Sequence, residues 1–557
     1  QRTAHFRVVE GQQQAVDGLD RLLVPRRTVP VAQHHLGQVV GDVAADEFLH
    51  HRRQFALAAV LHQFRGHRAA GQVQALAPTL RLGGTLLGQL EALAVLRHVR
   101  TQLLLQRLED RHVLVELGDQ AVNGAVDVAE QLAFQVANGQ APKGVPLCRV
   151  ARPNFATDES IANDQQILGS VADAIVASAD RILAEPSLAD FYLGQWLHTP
   201  GHQAAINVDA GYSEPMVVGR FDTALTSEGM RVLEFNGGMP GGMANTEAAA
   251  ALVTGWDVYR KFNEKQAAAP MPVLRPAFEA LLAAWNDFGG TGSALAVLAM
   301  PDEFLPIAAA HIPGFVATSA DLGHELVVAD PGRLLYQGGV VTLDGRRVDV
   351  VIRGFLSEMI EMMGERVQPL LAAVAAGDVC MVTSMRSGVY GHKALFAALT
   401  DPTLDLGLSA AQRDLAIKHL PWTRMVVDDW TVGPDGERIY LPDFIESARE
   451  RLVVKPANGF AGMGVHLGWE EAPEQWSAAV AHALADGAHI VQDRIDVPTQ
   501  EYPELAPGLP TQRYVADHNP IMANRQVVGY LIRLSLDGGI TNVSTGSGTL
   551  TPTLKLG

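Results

Sequence analysis

The sequence has 557 residues, several times the usual domain length, which favours two or three separate cores. Hydrophobic residues make up 48% and charged residues 19%, a globular composition, and no run of about 18 uncharged apolar residues predicts a membrane span. The net charge of −18 argues against general affinity for nucleic acid or anionic lipid, because both need a positive protein surface.

The N-terminus and the cysteines bear on location. The first residues lack a basic start followed by an apolar run, so they do not predict a secretory signal. The chain begins with Gln1 rather than Met, which is consistent with a fragment. Cys148 and Cys380 are too few and too far apart for a disulfide framework or a zinc site. We therefore expect a reducing, cytoplasmic location.

The first 150 residues differ in composition from the rest. They contain no Ser, Ile, Met, Tyr or Trp and a single lysine, Lys143. They hold 16 basic and 13 acidic residues, so the negative charge lies in the remainder. Natural cores normally draw on Ile, Met, Tyr and Trp, and helix caps draw on Ser. Selection for folding therefore does not explain this composition.

We interpret residues 1–150 as a non-native segment, of the kind that an opposite-strand or shifted reading frame of GC-rich DNA would encode. Such a segment is expected to be mostly helical or poorly ordered. The alternative is a Leu-rich helical accessory domain, since apolar residues recur at spacings compatible with helix. Two histidine pairs, His34 with His35 and His50 with His51, are expected on the surface rather than at a metal, because adjacent side chains point apart.

The remaining sequence predicts an α/β (α+β) fold. Residues 157–206 have the pattern of helices, in which Asp158 or Ser160 caps the run ILGSVADAIVASADRILA and Pro186 ends it. Two alternating strands, MVVGRFDTAL and RVLEFN, are joined by TSEGM and predict a hairpin. A strand-rich block, with some helix, then runs from SALAVLAMP through AAAHIPGF and ELVVAD to VVTLDGRRVDVVIRGF, whose Asp-Gly marks a tight turn.

The last part of the chain mixes helices and strands. Residues 354–376 and 391–399 are expected to be helical. The block from RLVVKPANG to NVSTGSGTL contains strands on either side of the helical segment EEAPEQWSAAVAHALADG.

The predicted hairpin carries a first polar cluster. If its strands pair, Arg220 and Asp222 face the same side as Glu234 and Asn236, because residues i and i+2 share a face. Two carboxylates and an amide supply the hard oxygen ligands that suit Mg²⁺. The alternative is a hairpin held by cross-strand salt bridges.

A second cluster lies in RLVVKPANGFAGMGVHLG. A buried strand delivers Lys455, and Gly459, Gly462 and Gly464 follow in a stretch whose backbone N–H groups could approach phosphates closely. The segment is not a Walker loop, since no Gly-Lys-Ser/Thr closes it. The alternative is a flexible hairpin.

Two further strands carry polar residues. In HIVQDRID the backbone of Val491 and Gln492 would lie beside an adenine with Asp493 near the ribose, and the alternative is an edge strand with a polar end. Arg533 lies inside an apolar strand, where its charge is costly unless an anion pairs with it. A phosphate, a substrate carboxylate or a structural acidic residue would each satisfy it.

Together these clusters resemble the ATP-grasp family. In that family a lysine and a glycine-rich loop close over ATP, a hinge strand holds adenine, and an acidic strand pair ending in Glu-x-Asn binds magnesium. Here Glu234 and Asn236 precede Lys455, an order similar to that of the circularly permuted branch that contains glutathionylspermidine synthase. The segments VDVVIRGFLSEM, MRSGVYGHKALFAAL and HLPWTRMVVDD resemble further parts of that branch. The similarity covers residues 210–550.

The resemblance implies an enzyme that uses ATP and Mg²⁺ to join a small-molecule carboxylate to an amine through an acyl phosphate. It implies these site residues: Asp222, Glu234 and Asn236 as magnesium ligands; Lys393 and Lys455 at the ATP phosphates with Gly459, Gly462 and Gly464; Gln492 and Asp493 at the nucleoside; and Arg220 and Arg533 at the acyl phosphate. Arg353 and Glu358 would contact substrate or form a structural salt bridge.

The resemblance also implies four parts. Residues 1–150 are the segment of foreign composition, 151–275 a helical lead-in with the magnesium-binding hairpin, 276–400 a mixed α/β substrate part, and 401–557 the nucleotide-binding lobe. The first part lacks the Cys-His amidase that accompanies some glutathionylspermidine synthases, so hydrolysis is not expected.

Two other classes of protein remain as alternatives. One is a nucleotide-binding protein that keeps the ATP-grasp fold without ligase activity. The other is a nucleic-acid-binding protein that uses the Arg-rich first segment, which conflicts with the near-balanced charge of that segment and its lack of Tyr and Trp for stacking.

Overall fold

The computed structural model describes residue 135 and residues 146–199, 201–309, 311–459, 462–506, 509–536 and 548–557. Contacts divide the chain into Gln1–Val99 and Arg100–Gly557, and every described residue belongs to the second unit. Apart from residue 135 and the last five residues, the predictions for residues 1–150, including the histidine pairs, lie outside the described part of the chain.

Residues 146–150 belong to the folded part of the chain. Cys148 and Val150 are buried, and Val150 forms an isolated β-bridge with Glu504. The Leu550 amide donates to the Leu147 carbonyl at 2.8 Å. The five residues just before the change of composition therefore pack against the C-terminal part of the chain.

The described residues form a mixed α/β fold, as expected. The helices are α1 (Asp158–Ala184), α2 (Pro186–Leu197), α3 (His202–Ile206), α4 (Met243–Thr254), α5 (Asp257–Asn263), α6 (Leu274–Asp287), α7 (Leu305–Ala308), α8 (Ile312–Asp321), α9 (Met359–Met363), α10 (Gln368–Ala375), α11 (Ser387–Tyr390), α12 (Ala394–Leu399), α13 (Ala410–His419), α14 (Leu441–Ser447) and α15 (Pro473–Asp486).

The strands are β1 (Asn154–Ala156), β2 (Val218–Thr226), β3 (Gly229–Gly237), β4 (Ala268–Pro270), β5 (Leu295–Ala299), β6 (Glu325–Ala329), β7 (Leu335–Gln337), β8 (Val340–Leu343), β9 (Arg346–Arg347), β10 (Val350–Arg353), β11 (Cys380–Val382), β12 (Thr423–Met425), β13 (Trp430–Val432), β14 (Arg438–Tyr440), β15 (Leu452–Pro456), β16 (His466–Leu467), β17 (His489–Asp493), β18 (Thr499–Pro503), β19 (Thr511–Ala523), β20 (Gln526–Ser535), β21 (Thr549–Thr551) and β22 (Thr553–Leu556).

Helix α1 begins one residue earlier than the sequence predicted. Thr157, rather than Asp158 or Ser160, is its N-cap, and its side chain accepts from the Ser160 amide at 3.1 Å. The Ser160 side chain in turn accepts from the Thr157 amide, which completes a capping box. Helix α1 ends at Ala184, just before Pro186 as expected, and Pro186 opens α2, where its missing N–H costs nothing.

A parallel sheet in the order β11-β10-β5-β6 forms the middle of the fold. Val297 and Val351 pack into one hydrophobic cluster, while Leu298 and Ile352 pack into another. Both faces of the sheet are therefore buried, as parallel sheets require. The segment AAAHIPGF, placed by the sequence in the strand-rich block, leads instead into helix α8, with Pro313 in its first turn.

Two local expectations next to this sheet have different outcomes. The predicted Asp-Gly turn between β8 and β9 is confirmed, and both Asp344 and Gly345 have positive φ, as a type I′ turn requires. The predicted helix over 354–376 is interrupted. Gly364, at φ 52°, separates α9 from α10, so only part of that segment is α-helical.

The largest sheet runs β21-β20-β19-β2-β3 with β18 beside β19, and its main strands are antiparallel. The predicted hairpin of β2 and β3 is confirmed and forms one end of it. A second antiparallel sheet, β12-β17-β15-β16, carries α15, whose Trp476 is fully buried and donates to the Ile445 carbonyl at 3.2 Å. These two sheets position most of the predicted site residues.

Within the described residues no helix is both long and apolar enough to cross a membrane. The cytoplasmic location and the boundaries after residues 275 and 400 stay predictions.

Candidate functional site

The register of the hairpin places four predicted site residues together. Arg220 is the cross-strand partner of Asn236, and Asp222 is the partner of Glu234. Because partners and residues two apart share a face, all four side chains lie on one side of the sheet. The Asn236 amide donates to Asp222 Oδ1 at 3.0 Å.

Asp222 lies between two arginines. Arg220 Nε donates to Asp222 Oδ1 at 2.7 Å, and Arg533 Nη2 donates to Asp222 Oδ2 at 2.8 Å. Arg220 also donates through Nη1 to the Gly241 carbonyl at 2.7 Å. The side chain of Asp222 is only 6% exposed. The sequence left open whether a phosphate, a substrate carboxylate or a structural acidic residue pairs with Arg533. In the described structure its partners are structural acidic residues.

The second acidic partner of Arg533 is Asp517, which sequence reasoning missed. Asp517 and Arg533 are direct partners on β19 and β20. Arg533 donates to Asp517 through Nε at 2.8 Å and through its backbone amide at 3.0 Å. An aspartate inside the long strand pattern QRYVADHNPIMA was the available signal, but its pairing with Arg533 depends on strand register.

The charges of this network shift the pKa values of its members. Burial raises the pKa of Asp222, but Arg220 and Arg533 outweigh burial and lower it below its usual range. Burial raises the pKa of Asp517 to about 6, helped by Asp222 and opposed by Arg533. Burial would lower the pKa of Arg533, but Asp517 and Asp222 raise it. Asp222 therefore holds its negative charge firmly, whereas burial makes the charged form of Asp517 less favourable.

Lys393 connects this sheet to the glycine-rich loop. It precedes α12, and its Nζ lies 3.1 Å from Glu234 Oε2 and donates to the Gly459 carbonyl at 2.7 Å. Its backbone amide donates to the Ala457 carbonyl at 2.8 Å. The contacts of Lys393 thus bring together the hairpin, the helix and the loop that follows β15.

Lys455 lies near the same group. It is buried at the end of β15, and desolvation lowers the pKa of its ammonium to about 8. The nearby charge of Glu234 raises this pKa, and that of Lys393 lowers it. No hydrogen bond or ion pair to Lys455 Nζ occurs among the described residues. A buried ammonium of this kind is prepared to receive an anion.

Two glycines of the loop after β15 have positive φ. Gly462 has φ 75° and Gly464 has φ 68°, values that other residues adopt only with strain. A Cβ on Gly464 would meet Pro456 Cγ at 2.9 Å. Residues 460 and 461 lie outside the described structure, so the loop is known at its two ends.

The residues expected at the nucleoside lie on β17, and their contact with a nucleotide stays a prediction. β17 lies between β12 and β15, so it is a central strand rather than an edge, and the backbone of Val491 and Gln492 is committed to the two ladders. The Gln492 side chain shares a face with Lys455 and donates to Thr423 Oγ1 at 3.0 Å. Asp493 faces the other side, 3.1 Å from Arg451.

Arg353 is a buried cation surrounded by neutral acceptors. It is 3% exposed, and its guanidinium donates to the carbonyl and hydroxyl of Thr383 and to Ser387 Oγ at 2.6 Å. Burial lowers the pKa of Arg353 to about 10. A Cβ on Gly238 would lie 3.0 Å from Nη2, which places the guanidinium beside the turn after β3.

The predicted alternative of a salt bridge between Arg353 and Glu358 is not realised. Glu358 Oε1 instead accepts from Trp196 Nε1 at 2.8 Å and from Asn458 Nδ2 at 2.6 Å. No carboxylate lies within 4.0 Å of the Arg353 guanidinium in the described part of the chain. Arg353 therefore has no counter-ion of its own.

The hairpin residues differ in how well their side-chain oxygens could bind a magnesium ion. Among the described residues no group of three or more His, Cys, Asp or Glu could hold a metal alone. Magnesium is usually held by one or two carboxylates and substrate phosphates, so fewer protein ligands suffice. Glu234 and Asn236 each keep a side-chain oxygen that accepts no hydrogen bond from the described residues. Both oxygens of Asp222 are occupied by guanidinium groups, so Asp222 fits less well.

No family model matches the sequence, and no curated protein matches it. Among solved structures, a glutathione synthetase-like effector from Globodera pallida is similar at 11% identity and a TM-score of 0.46, covering 76% of this chain and 95% of that one. A putative gamma-glutamylcysteine synthetase from Methylobacillus flagellatus is similar at 12% identity and a TM-score of 0.36, covering 72% and 89%.

A D-alanyl-alanine synthetase A from Vibrio cholerae is similar at 10% identity and a TM-score of 0.26, covering 45% of this chain and 69% of that one. Likeness at these TM-scores carries no argument about function.

Proposed function

We propose that this chain is an ATP- and magnesium-dependent ligase that joins a carboxylate to an amine, with the circularly permuted ATP-grasp arrangement. The observation that carries the proposal is the approach of two lysines from different parts of the chain to one carboxylate. Lys393 lies 3.1 Å from Glu234, and the charges of both act on the buried Lys455. The family resemblance of the sequence supports the same assignment.

The lysines are assigned to the phosphates of ATP. Lys455 is a buried ammonium without a partner among the described residues, and phosphate oxygens would supply the negative charge that it lacks. The Gly462 and Gly464 loop end brings backbone N–H groups close to the same phosphates. Lys393 would exchange its contact with Glu234 for a phosphate, which frees Glu234.

Glu234 and Asn236 are assigned to the magnesium ion that accompanies ATP. When bound, magnesium neutralises phosphate charge and so favours phosphoryl transfer. Asp222 stays a proposed ligand, but its contacts also give it a second role. It holds Arg220 and Arg533 against the open face of the hairpin.

The arginines are assigned to the acyl group. A substrate carboxylate oxygen attacks the γ-phosphorus, the bond to ADP breaks, and an acyl phosphate results. The amine, after its ammonium form has lost one proton to solvent, attacks the acyl carbon, phosphate leaves, and the nitrogen loses a second proton to solvent. Arg220 and Arg533 would stabilise the charge of the transferred phosphoryl group. Arg353, a buried cation without a counter-ion, would bind a second carboxylate of the acid substrate.

The test is release of ADP by the full chain, with pooled carboxylic acids and pooled amines each omitted in turn. We expect a burst of about one ADP per site with acids alone and sustained turnover only with both pools. EDTA should abolish both phases, and Glu234→Ala should abolish turnover. Glu279→Gln, which removes a half-exposed charge on α6, is the control.

Nucleotide binding without ligase activity is the alternative. ADP release that needs neither pool and survives Glu234→Ala would contradict the ligase proposal. Binding of ATP with no ADP release under any combination would favour the alternative.

Asp517 is proposed as a positioning residue. Asp517→Asn keeps one hydrogen-bond acceptor but removes the negative charge that holds Arg533 in position. We therefore expect kcat to fall by about tenfold to a hundredfold, with little change in the KM for ATP. Steady-state kinetics with the acid and amine pools measure both. Asp517→Glu, which restores the charge, should recover more activity than Asp517→Ala. If all Asp517 variants lose activity in proportion to the fall in their melting temperature, Asp517 has a structural role alone.

A further inference from the structure

A cavity of about 640 Å³ lies behind the glycine-rich loop. Helix α2 supplies aromatic walls from Phe191, Tyr192 and Trp196, and the loop supplies residues 456–458. Phe191 is 49% exposed, so the apolar wall reaches the surface. None of the residues assigned above to ATP, magnesium or the acyl phosphate lines this cavity, except Gly464 of the loop.

The charge of the cavity lining is negative. Among the described residues that line it, Asp190, Glu358, Glu361 and Asp486 are acidic and none is Lys or Arg. Asp486 lies 2.9 Å from His489, whose pKa is lowered by burial, so this pair keeps its negative charge near neutral pH. A ligand for this lining needs positive charge.

Glu358 is the carboxylate that is held in place. Trp196 Nε1 and Asn458 Nδ2 both donate to Oε1, at 2.8 and 2.6 Å. Both donors are neutral, and no cation lies within 4.0 Å of Glu358 in the described structure. Oε2 accepts no hydrogen bond from the described residues. Glu358 therefore presents one oxygen, and its nearest recorded cationic neighbour, Arg353, whose pKa it raises, lies beyond ion-pair distance.

A buried histidine gives an independent indication of a donor ligand. His202 is 1% exposed, and its Nδ1 lies 3.1 Å from the Trp196 carbonyl. A carbonyl only accepts, so Nδ1 carries a proton, and in a neutral ring Nε2 is an acceptor. Nε2 is buried without a hydrogen-bond partner. An N–H group of a bound molecule would satisfy it.

His392 completes this end of the cavity. It is 3% exposed, and burial, together with the neighbouring Lys393, lowers its pKa to about 3, so it is neutral. Its Nδ1 is also buried without a partner. The rings of His202 and His392 lie 5.4 and 5.5 Å from that of Trp196. Negative charge, an acceptor nitrogen and aromatic faces together suit an organic ammonium ion.

We propose that this cavity binds a primary ammonium group carried on an apolar body, and that this molecule is the amine substrate. The assignment of this molecule as the amine substrate rests on the proposed ligase function. One loop segment separates the two sites: Asn458 contacts Glu358, while the carbonyls of Ala457 and Gly459 on either side accept from Lys393. An amine held by Glu358 would thus lie one peptide segment from the phosphate lysines.

Calorimetric titration of the full chain with hexylamine, 1-hexanol and hexanoate, without nucleotide, tests the proposal. These probes share an apolar body and differ in charge. Hexylamine should bind at least about tenfold more tightly than the other two, since charge-assisted hydrogen bonds contribute about 1.5–3 kcal/mol. Equal binding of hexylamine and hexanol, or preference for hexanoate, would overturn the proposal.

Glu358→Gln keeps the acceptor for Trp196 and Asn458 but removes the charge, and it should weaken hexylamine by about tenfold. Glu361→Gln, whose side chain has no hydrogen bond among the described residues, is a second variant in case the first does not fold. Glu279→Gln should bind like the parent. If both cavity variants bind hexylamine with unchanged affinity, the proposal is contradicted.

Ligase assays separate this inference from the proposed function. If ADP release depends on an amine, Glu358→Gln should raise the KM for that amine and leave the KM for ATP unchanged. Hexylamine binding that depends on Glu358, with no amine-dependent ADP release, would retain the cation site and reject the ligase function. If ADP release depends on an amine but Glu358→Gln leaves the KM for that amine unaltered, the ligase function stands and this amine site is rejected.

Discussion

Replacing Lys455 with methionine should lower amine-dependent ADP release by about 10²–10³-fold. Loss of one preorganised group that stabilises transition-state charge typically has an effect of this size. Methionine fills a similar volume, so the packing at the end of β15 should survive. Steady-state ADP release with saturating acid and amine pools measures the loss, and nucleotide titration measures the accompanying fall in ATP affinity.

The same substitution should stabilise the fold near neutral pH. Lys455 has a pKa of about 8 in the folded chain against a usual 10.5, so the unfolded chain binds more protons between these two values. The charged lysine therefore costs up to about 3 kcal/mol below pH 8, and that cost disappears as the pH rises through 10.5. Lys455→Met should raise the free energy of unfolding at pH 7, with a gain that shrinks above pH 8.

Lys261→Met is the matched control for Lys455→Met, because Lys261 is exposed on α5. It should change neither turnover nor stability by more than about 0.5 kcal/mol. A Lys455→Met chain with normal turnover would contradict the role in ATP binding. One that is destabilised at pH 7 would contradict the cost assigned to the buried charge.

Replacing Asp222 with asparagine should lower the free energy of unfolding by about 3 kcal/mol. The substitution leaves Arg220, 8% exposed, without a carboxylate and takes one of two carboxylates from Arg533. Removing one partner from a buried ion pair has about this effect, because the remaining charge stays desolvated. Chemical denaturation at pH 7 measures it, and ligase turnover should fall as well.

The pH dependence distinguishes this loss from that at Lys455. Arg220 and Arg533 lower the pKa of Asp222, against the effect of burial, so its stabilisation is complete above pH 3.8 and is lost only as the pH falls further. The Asp222→Asn deficit should therefore be constant between about pH 7 and pH 8, and it should change near pH 6, where Asp517 titrates with a pKa that Asp222 helps to raise. A deficit that varied between about pH 7 and pH 8 would point to another titrating group.

Asp180→Asn is the control for Asp222→Asn. Asp180 pairs with Arg386 at 2.7 Å, the distance of the Arg220–Asp222 pair, but its side chain is 56% exposed. Exposed pairs contribute about 0–1 kcal/mol, so this variant should be nearly neutral. Equal losses at Asp180 and Asp222 would show that burial of the network has no energetic role.

The sequence predicted the hairpin correctly because strand alternation is a local property. Once β2 and β3 pair, the two-residue period alone places Arg220, Asp222, Glu234 and Asn236 on one face. The glycine-rich stretch after β15 was likewise recognised from residue type, and Gly462 and Gly464 have positive φ. The mixed α/β class followed from the same local patterns.

Contacts between distant segments were not predictable. The pairing of Asp517 with Arg533 depends on the register of two strands, and the approach of Lys393 to Gly459 spans 66 residues. The expectation for β17 was wrong where it treated the strand as a possible edge, because a strand's neighbours are not encoded in its own pattern. Arg353 showed the same limit, since its partners come later in the chain: Thr383 follows β11 and Ser387 begins α11.

The sequence alone determined which residues could carry charge on one strand face and where glycine was needed for the backbone. Only the tertiary structure decided which charges neutralise one another. Arg533 lies between Asp517 and Asp222, whereas Lys455, Arg353 and Glu358 have no oppositely charged partner within 4.0 Å among the described residues. Desolvation raises the free energy of an unpaired buried charge. The size of this effect depends on every segment packed around the charge, and a local sequence pattern does not contain that information.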